Sequence, residues 1–223
     1  DLTTEINNAT VPDVIRPLVS ATTPGRGESG VISVYSDPYD DVSTSWSASA
    51  TDSEMPKRLV TDSADTSKKV TDADSVTITL PGTLDASEMS SLHLSVWRTE
   101  PDADFKIKLI DYGADGSVGG TDNSEHELTY NAANDNQIAG GQWIDLNIDL
   151  AGLTDLSSAS NIGQIVISSQ TDGAASGETL YLDNIYFSKT FSGLDFSETD
   201  LITNGSEGGI PLMIEQSDDN KVL

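Results

Sequence analysis

The side chains best suited to chemistry lie in one stretch, FKIKLIDYGADGSVGGTDNSEHELTY, from Phe105 to Tyr130. It sets Asp111, Asp115, Asp122 and Glu125 among Gly113, Gly116, Gly119 and Gly120. A hard cation such as calcium takes several oxygen ligands from a backbone that bends sharply around it, and carboxylates spaced by glycines supply both. The spacing is not that of an EF-hand, whose ligands recur at every second position. The stretch therefore reads either as a calcium loop or as a solvated acidic hairpin.

Catalytic patterns are absent from the sequence. The two histidines, His93 and His126, belong to no HExxH motif, and there is no GxSxG. The glycines after Asp111 follow a strand-like run but open no helix, so they form neither a phosphate loop nor a dinucleotide fingerprint. Carboxylates are numerous enough that an acid pair for glycoside hydrolysis stays open, but none stands in a catalytic context. A non-enzymatic role is expected. Lys106 and Lys108 share one strand face, and Glu125 and Glu127 share a face of the next strand. Cross-strand ion pairs account for all four.

Three tryptophans are candidates for stacking on a ligand. Trp97 alternates with His93 and Ser95, away from Leu92, Leu94 and Val96, which predicts a solvent-facing ring. Trp143 falls with Asp145 and Asn147, opposite Ile144, Leu146, Ile148 and Leu150. Trp46 stands in a Ser/Thr-rich stretch expected to be a loop, where binding residues gather. For each, ordinary packing is the alternative, since large aromatics are mostly buried.

The elements that must position these groups are strands. Period-two alternation and turn residues predict them at Val31 to Tyr35, Val76 to Leu80, Leu92 to Trp97, Phe105 to Ile110, His126 to Tyr130, Trp143 to Leu150, Ile162 to Ser168 and Leu180 to Phe187. Pro81-Gly82 and Asp172-Gly173 read as turns. Asp85 to Met89 reads as a single helical turn capped by Asp85. One apolar and one polar face per strand implies antiparallel sheets packed as a sandwich. The fold class expected is therefore all-β, an antiparallel β-sandwich.

Residues 1–30, with PLVSATTPGRGESG at their end, have linker composition. The domain is expected over 31–190, with 191–223 a C-terminal extension or the start of a second module.

The chain of 223 residues has 37 acidic against 11 basic side chains and a formal net charge of −26. A field of that sign repels nucleic acid, anionic membranes and polyanionic glycans, and leaves neutral partners unpenalised. It also suits a protein kept soluble in salt water, where screening shortens repulsion. There is no cysteine, so no disulfide or thiolate site arises. No run reaches the length of a membrane span, so no membrane insertion is expected. The absence of an initiating Met suggests a processed or excised fragment.

The segments VISVYSDPYDDV, LHLSVWRTEPDADFKIKLIDYGADGSVGGTDNSEHEL, QWIDLNIDL, NIGQIVIS and LYLDNIYF, taken in that order, resemble a carbohydrate-binding-module-like jelly-roll domain. Such domains accompany secreted polysaccharide-degrading enzymes of marine bacteria, including laminarinase-type proteins. The resemblance covers about Val31 to Lys189. It implies a galactose-binding-like jelly roll, an accessory glycan-binding role beside a parent catalytic domain or surface protein, and a secreted or cell-surface location. It also implies a structural calcium between the exit of the first strand and the last strand. Asp183 matches the acidic position of the last strand, Asp37 its partner, and Asp40 a second choice. A carboxylate inside so apolar a strand needs a cation or hydrogen-bond donors. Where the family pattern has an aromatic after a Lys-Lys pair, this chain has Val70. The expected ligand is a polysaccharide, with neutral β-glucan such as laminarin the best fit to the charge. A spacer without a sugar site, and a calcium-dependent adhesion or glycan-receptor domain, are the competing expectations.

Overall fold

The computed structural model describes residues 30–48, 52–56, 66–71, 75–99, 102–134, 138–171, 174–175 and 178–190. The expected linker, apart from Gly30, lies outside the described residues. So do the 191–223 segment and the Asp172-Gly173 turn.

The apolar alternation becomes two antiparallel sheets. The strands in chain order are β1 (Val31–Tyr35), β2 (Ser45–Ala48), β3 (Asp52–Pro56), β4 (Thr66–Thr71), β5 (Ser75–Leu84) and β6 (Ser91–Arg98). They continue as β7 (Asp104–Asp111), β8 (Ser124–Tyr130), β9 (Trp143–Asp149), β10 (Ile162–Thr171), β11 (Ala174–Ala175) and β12 (Thr179–Ser188). The first sheet runs β3-β4-β12-β6-β9, with β1 also on β12; the second runs β2-β5-β10-β7-β8, with β11 on β10. Take β4 to β10 and β12 as eight successive strands. One sheet then reads first-eighth-third-sixth and the other second-seventh-fourth-fifth, which is jelly-roll order.

The inward faces meet in one core. The first sheet contributes Leu92, Leu94, Val96, Leu182 and Phe187; the second contributes Ile78, Phe105, Ile107, Leu109 and Ile165. Each such side chain contributes about 1.5–3 kcal/mol on full burial. Val70 belongs to this core at 1% exposure, so the position where relatives are expected to carry an aromatic faces inward here.

Three local features differ from the sequence expectation. Strands β2, β3 and β4 are short and polar, and carry no alternation strong enough to announce them. Pro81-Gly82 does not end its strand. Gly82 takes φ +85° inside β5, and the register slips there, with Leu84 opposite Ile162 and Thr79 opposite Gln164. Asp85 to Met89 forms a turn without helix, in which Asp85 Oδ1 accepts the Ser87 N–H at 3.0 Å.

The last strand carries a bulge where the site is built. Asp183 sits opposite Ser95 and Tyr186 opposite His93, so β12 has one more residue than β6 over this span. The slack is taken up at Asn184, whose φ is +50°, in the left-handed region that Asn tolerates better than most residues. β4 pairs with Thr179 to Leu182 and β1 with Ile185 to Ser188, both on the edge of β12 away from β6. The bulge therefore lies where β4 gives way to β1.

Candidate functional site

The outer face of the first sheet is a grid of cross-strand rows. Tyr181, Trp97 and Trp143 form one row; Asp183, Ser95 and Asp145 the next; then Tyr186, His93 and Asn147; then Ser188, Ser91 and Asp149. At about 3.4 Å per residue, the four rows cover roughly 20 Å along β6. Because the bulge inserts a residue, Asp183 and Asn184 both serve this outer face while Leu182 and Ile185 stay in the core.

A relay of hydrogen bonds fixes the middle of the grid. Ser36 Oγ donates to Asn184 Oδ1 at 3.3 Å, Asn184 Nδ2 donates to Ser95 Oγ at 3.2 Å, and Ser95 Oγ donates to Asp145 Oδ1 at 2.7 Å. Such chains polarise one another and hold their terminal acceptor in a single orientation. That acceptor, Asp145, is exposed, as is Asn147. His93, Ser95, Asp145, Asn184 and Tyr186 line a shallow depression. At one end His93 stacks on Tyr186 with centroids 4.4 Å apart, and Tyr39 meets the same ring edge-on at 5.6 Å. His93 Nε2 lies 2.8 Å from Ser188 Oγ. In the row beyond Asp145, Trp143 is half-buried.

Of the tryptophans, Trp143 occupies the outward position its alternation predicts. Trp97 points outward too but is only 4% exposed, packed edge-on against Tyr181 at 5.5 Å, so it is no solvent-facing platform. Trp46 is not in a loop: it lies in β2 opposite the core residue Ile78 and turns to the inner side. There it meets Tyr35 edge-on at 5.9 Å, and the Lys68 ammonium lies 5.2 Å from its ring.

The acidic candidates divide into anchors and a loop cluster. Both carboxylate oxygens of Asp37 are engaged by Thr66, from its N–H at 2.8 Å and its hydroxyl at 3.0 Å, which ties the β1–β2 loop to the start of β4. Asp40 is exposed. The carboxylate turned back onto β1 is Asp41, which accepts from Ser33 Oγ at 2.5 Å and Ser36 N at 3.0 Å. Burial raises its pKa above the usual carboxylate value, against the lowering effect of those two donors. Asp183 is wholly buried and accepts the Asn184 N–H at 2.7 Å.

Asp111 continues the inward series Phe105, Ile107, Leu109 and is 1% exposed. It accepts from Gly113 N at 2.7 Å, Ser158 Oγ at 2.9 Å and Asn161 N at 3.0 Å. These three donors make it an anchor of the hairpin. Glu125 lies on the outer face of the second sheet and pairs with Lys108 at 3.1 Å. Burial lowers the Lys108 pKa, but Glu125 and Glu127 outweigh it and the net shift is upward. Asp115 and Asp122 remain in the loop: Asp115 Oδ1 accepts from Ser117 N and Asp122 Oδ2 from Ala114 N, each at 2.8 Å. Among the described residues, no three acidic, histidine or cysteine side chains converge as a metal cluster.

Ser95, Asp145, Asn184, His93, Tyr186 and Tyr39 went unassigned by sequence reasoning. One signal was present: in LYLDNIYF the apolar residues fall at 180, 182, 185 and 187, and the skipped phase marks the bulge.

No protein-family model matches the chain, and no curated protein matches it. Among solved structures it is similar to a family 30 carbohydrate-binding module, at 16% identity and TM-score 0.48 over 71% of this chain and 98% of that one. It is also similar to the family 30 module of a cellulosomal cellulase of Clostridium thermocellum, at 17% identity and TM-score 0.43 over 78% and 94%. A third is the family 11 module from Clostridium thermocellum in complex with a β-1,3-1,4-mixed-linked tetrasaccharide, at 12% identity and TM-score 0.41 over 66% and 88%. By name, all three of these solved structures are carbohydrate-binding modules.

Proposed function

We propose that the chain is a non-catalytic carbohydrate-binding module that holds a neutral polysaccharide on the outer face of its first sheet. The observation that carries this reading is the pre-set relay ending at exposed Asp145, flanked by Trp143 on one side and the His93–Tyr186–Tyr39 group on the other. Sugar hydroxyls are met best by donors and acceptors already fixed in place, since ordering them on binding would cost affinity. The half-buried rings of Trp143, His93 and Tyr39 offer apolar surface for the faces of pyranoses, while Tyr186 is buried beneath His93 and Tyr39. The net charge of −26 favours an uncharged ligand, and a β-glucan such as laminarin is the first to try. Attached to a secreted enzyme or a surface protein, the module would raise the local concentration of that partner on its polysaccharide.

Affinity electrophoresis against neutral and acidic polysaccharides tests the reading. Retardation by a neutral β-glucan, lost in Trp143→Ala and in Asp145→Ala, is the expected result. The competing spacer reading draws on the thin accessible aromatic surface, with Trp97, Tyr181 and Tyr186 all buried. It predicts no retardation by any glycan from a protein shown to be folded.

A further inference from the structure

The outer face of the first sheet extends past the depression at Asp145. Its third row continues onto β1, where Ser33 pairs with Tyr186, and its fourth row ends at Val31, opposite Ser188. A second depression lies there, lined by Val31, Ser33, Tyr39 and Asp40. Tyr39 joins the two: its ring packs edge-on against Tyr186, which lines the first, and it lines the second itself. One hydrogen-bond network runs beneath both. Ser33 Oγ donates to Asp41 Oδ1, and the same oxygen accepts the Ser36 N–H. Ser36 Oγ in turn opens the relay through Asn184 and Ser95 to Asp145. Side chains of β1, β12, β6 and β9 are thus held in one register from the first depression to the second.

The geometry points to a second sugar subsite in the depression beside β1, an inference that rests on the first-sheet reading given above. Val31 and the half-buried ring of Tyr39 give it apolar walls, and Asp40 gives it an exposed acceptor. One carboxylate between apolar walls suits the hydroxyls and C–H faces of a neutral sugar, whereas calcium would need several oxygens. At about 4.8 Å between strands, β1 and β9 lie roughly 14 Å apart. Trp143 and Ser33 are also offset by two rows along the strands. The diagonal between them is therefore roughly 20 Å, the length of about four pyranose units. A glucan chain on this face would cross the strands obliquely, from Trp143 and Asp145 over His93 to Tyr39 and Asp40. Exposed residues stand at both ends, Asp145 and Asn147 on β9 and Asp40 after β1.

Calorimetric titration of the full chain with β-1,3-glucan oligosaccharides, from disaccharide to hexasaccharide, tests the assignment. Affinity is expected to climb through the tetrasaccharide and then level off. Asp40 is exposed, so its replacement should leave the fold intact. Asp40→Ala should weaken hexasaccharide binding about tenfold, the scale of one lost hydrogen bond to a charged group. The ratio of hexasaccharide to disaccharide affinity should fall by the same factor, because the shorter ligand is held at Asp145. Asp40→Asn keeps an acceptor and should restore most of the loss. Affinity that stops rising at the disaccharide, or hexasaccharide binding untouched by Asp40→Ala, would overturn the second subsite and leave the first standing. No binding at any length would overturn the first-sheet reading and the second subsite with it.

Discussion

Asn184 lies in the left-handed region at φ +50° and, from that posture, donates its amide to Ser95 Oγ across β12 and β6. Backbone and side chain thus serve one end: the bulge turns the amide toward the relay, and the relay satisfies the amide. Two substitutions separate the contributions. Asn184→Gly keeps a backbone that suits positive φ but breaks the relay, and should cost about 1–2 kcal/mol in urea unfolding. Asn184→Ala loses the relay and also strains the backbone, so it should be the less stable of the two by about 1 kcal/mol. Equal stabilities would mean that the left-handed posture carries no cost here.

Arg98 and Glu178 form a wholly buried bidentate pair at 2.8 and 3.0 Å, with the guanidinium also on the Ala103 carbonyl and over the Phe105 ring. Ser169 donates to the same carboxylate. Glu178→Ala would leave the charge of Arg98 in the core and should destabilise by about 3–5 kcal/mol. The double replacement Arg98→Met with Glu178→Leu should recover most of that loss, because burying an ion pair gains little over apolar packing. A double variant no more stable than the single one would contradict this.

Gly163 faces the ring of Tyr112 so closely that a β-carbon there would lie 2.1 Å from Cε2. Tyr112 is itself 4% exposed and cannot swing aside. Gly163→Ala is therefore expected to lower stability by at least about 1–3 kcal/mol through overpacking, as measured by denaturant midpoint at unchanged slope.

Asp41 should leave a mark on the pH dependence. Burial raises its folded-state pKa above 3.8, so between those values the folded chain binds more proton than the unfolded chain. Its favourable contribution is then full below the unfolded pKa and is lost as pH rises through the folded one. Asp41→Asn keeps an acceptor for Ser33 and Ser36 but does not titrate. Relative to this variant, the wild type should gain stability as pH falls from about 7 to about 4. A constant difference across that range would count against the buried-carboxylate account.

Alternation along single strands was legible in the sequence, including the faces of Trp143, Asp145 and Asn147 on β9 and of Leu92, Leu94 and Val96 on β6. What covers a face was not, because it depends on elements distant in the chain. Trp97 was assigned the right side and the wrong exposure for that reason, since its neighbour Tyr181 is 84 positions away. Asp111 could have been read: it falls in phase with Phe105, Ile107 and Leu109, which put it on the core side before any ion was invoked. The polar grid escaped notice because serine, asparagine and histidine on a strand look like solvent-facing residues until cross-strand register lines them up.

The position of β12 also constrains how the sandwich is assembled. It is the last of the described strands to leave the ribosome, yet β1, β4 and β6 all pair with it. Among the described strands, β1 and β4 share no neighbour but β12, and Val31 pairs with Ser188, 157 residues later. Contacts so distant in the chain are slow to form. Until residue 188 has emerged, the first sheet can exist only as separate pieces, and the face on which we place the sugar has no middle.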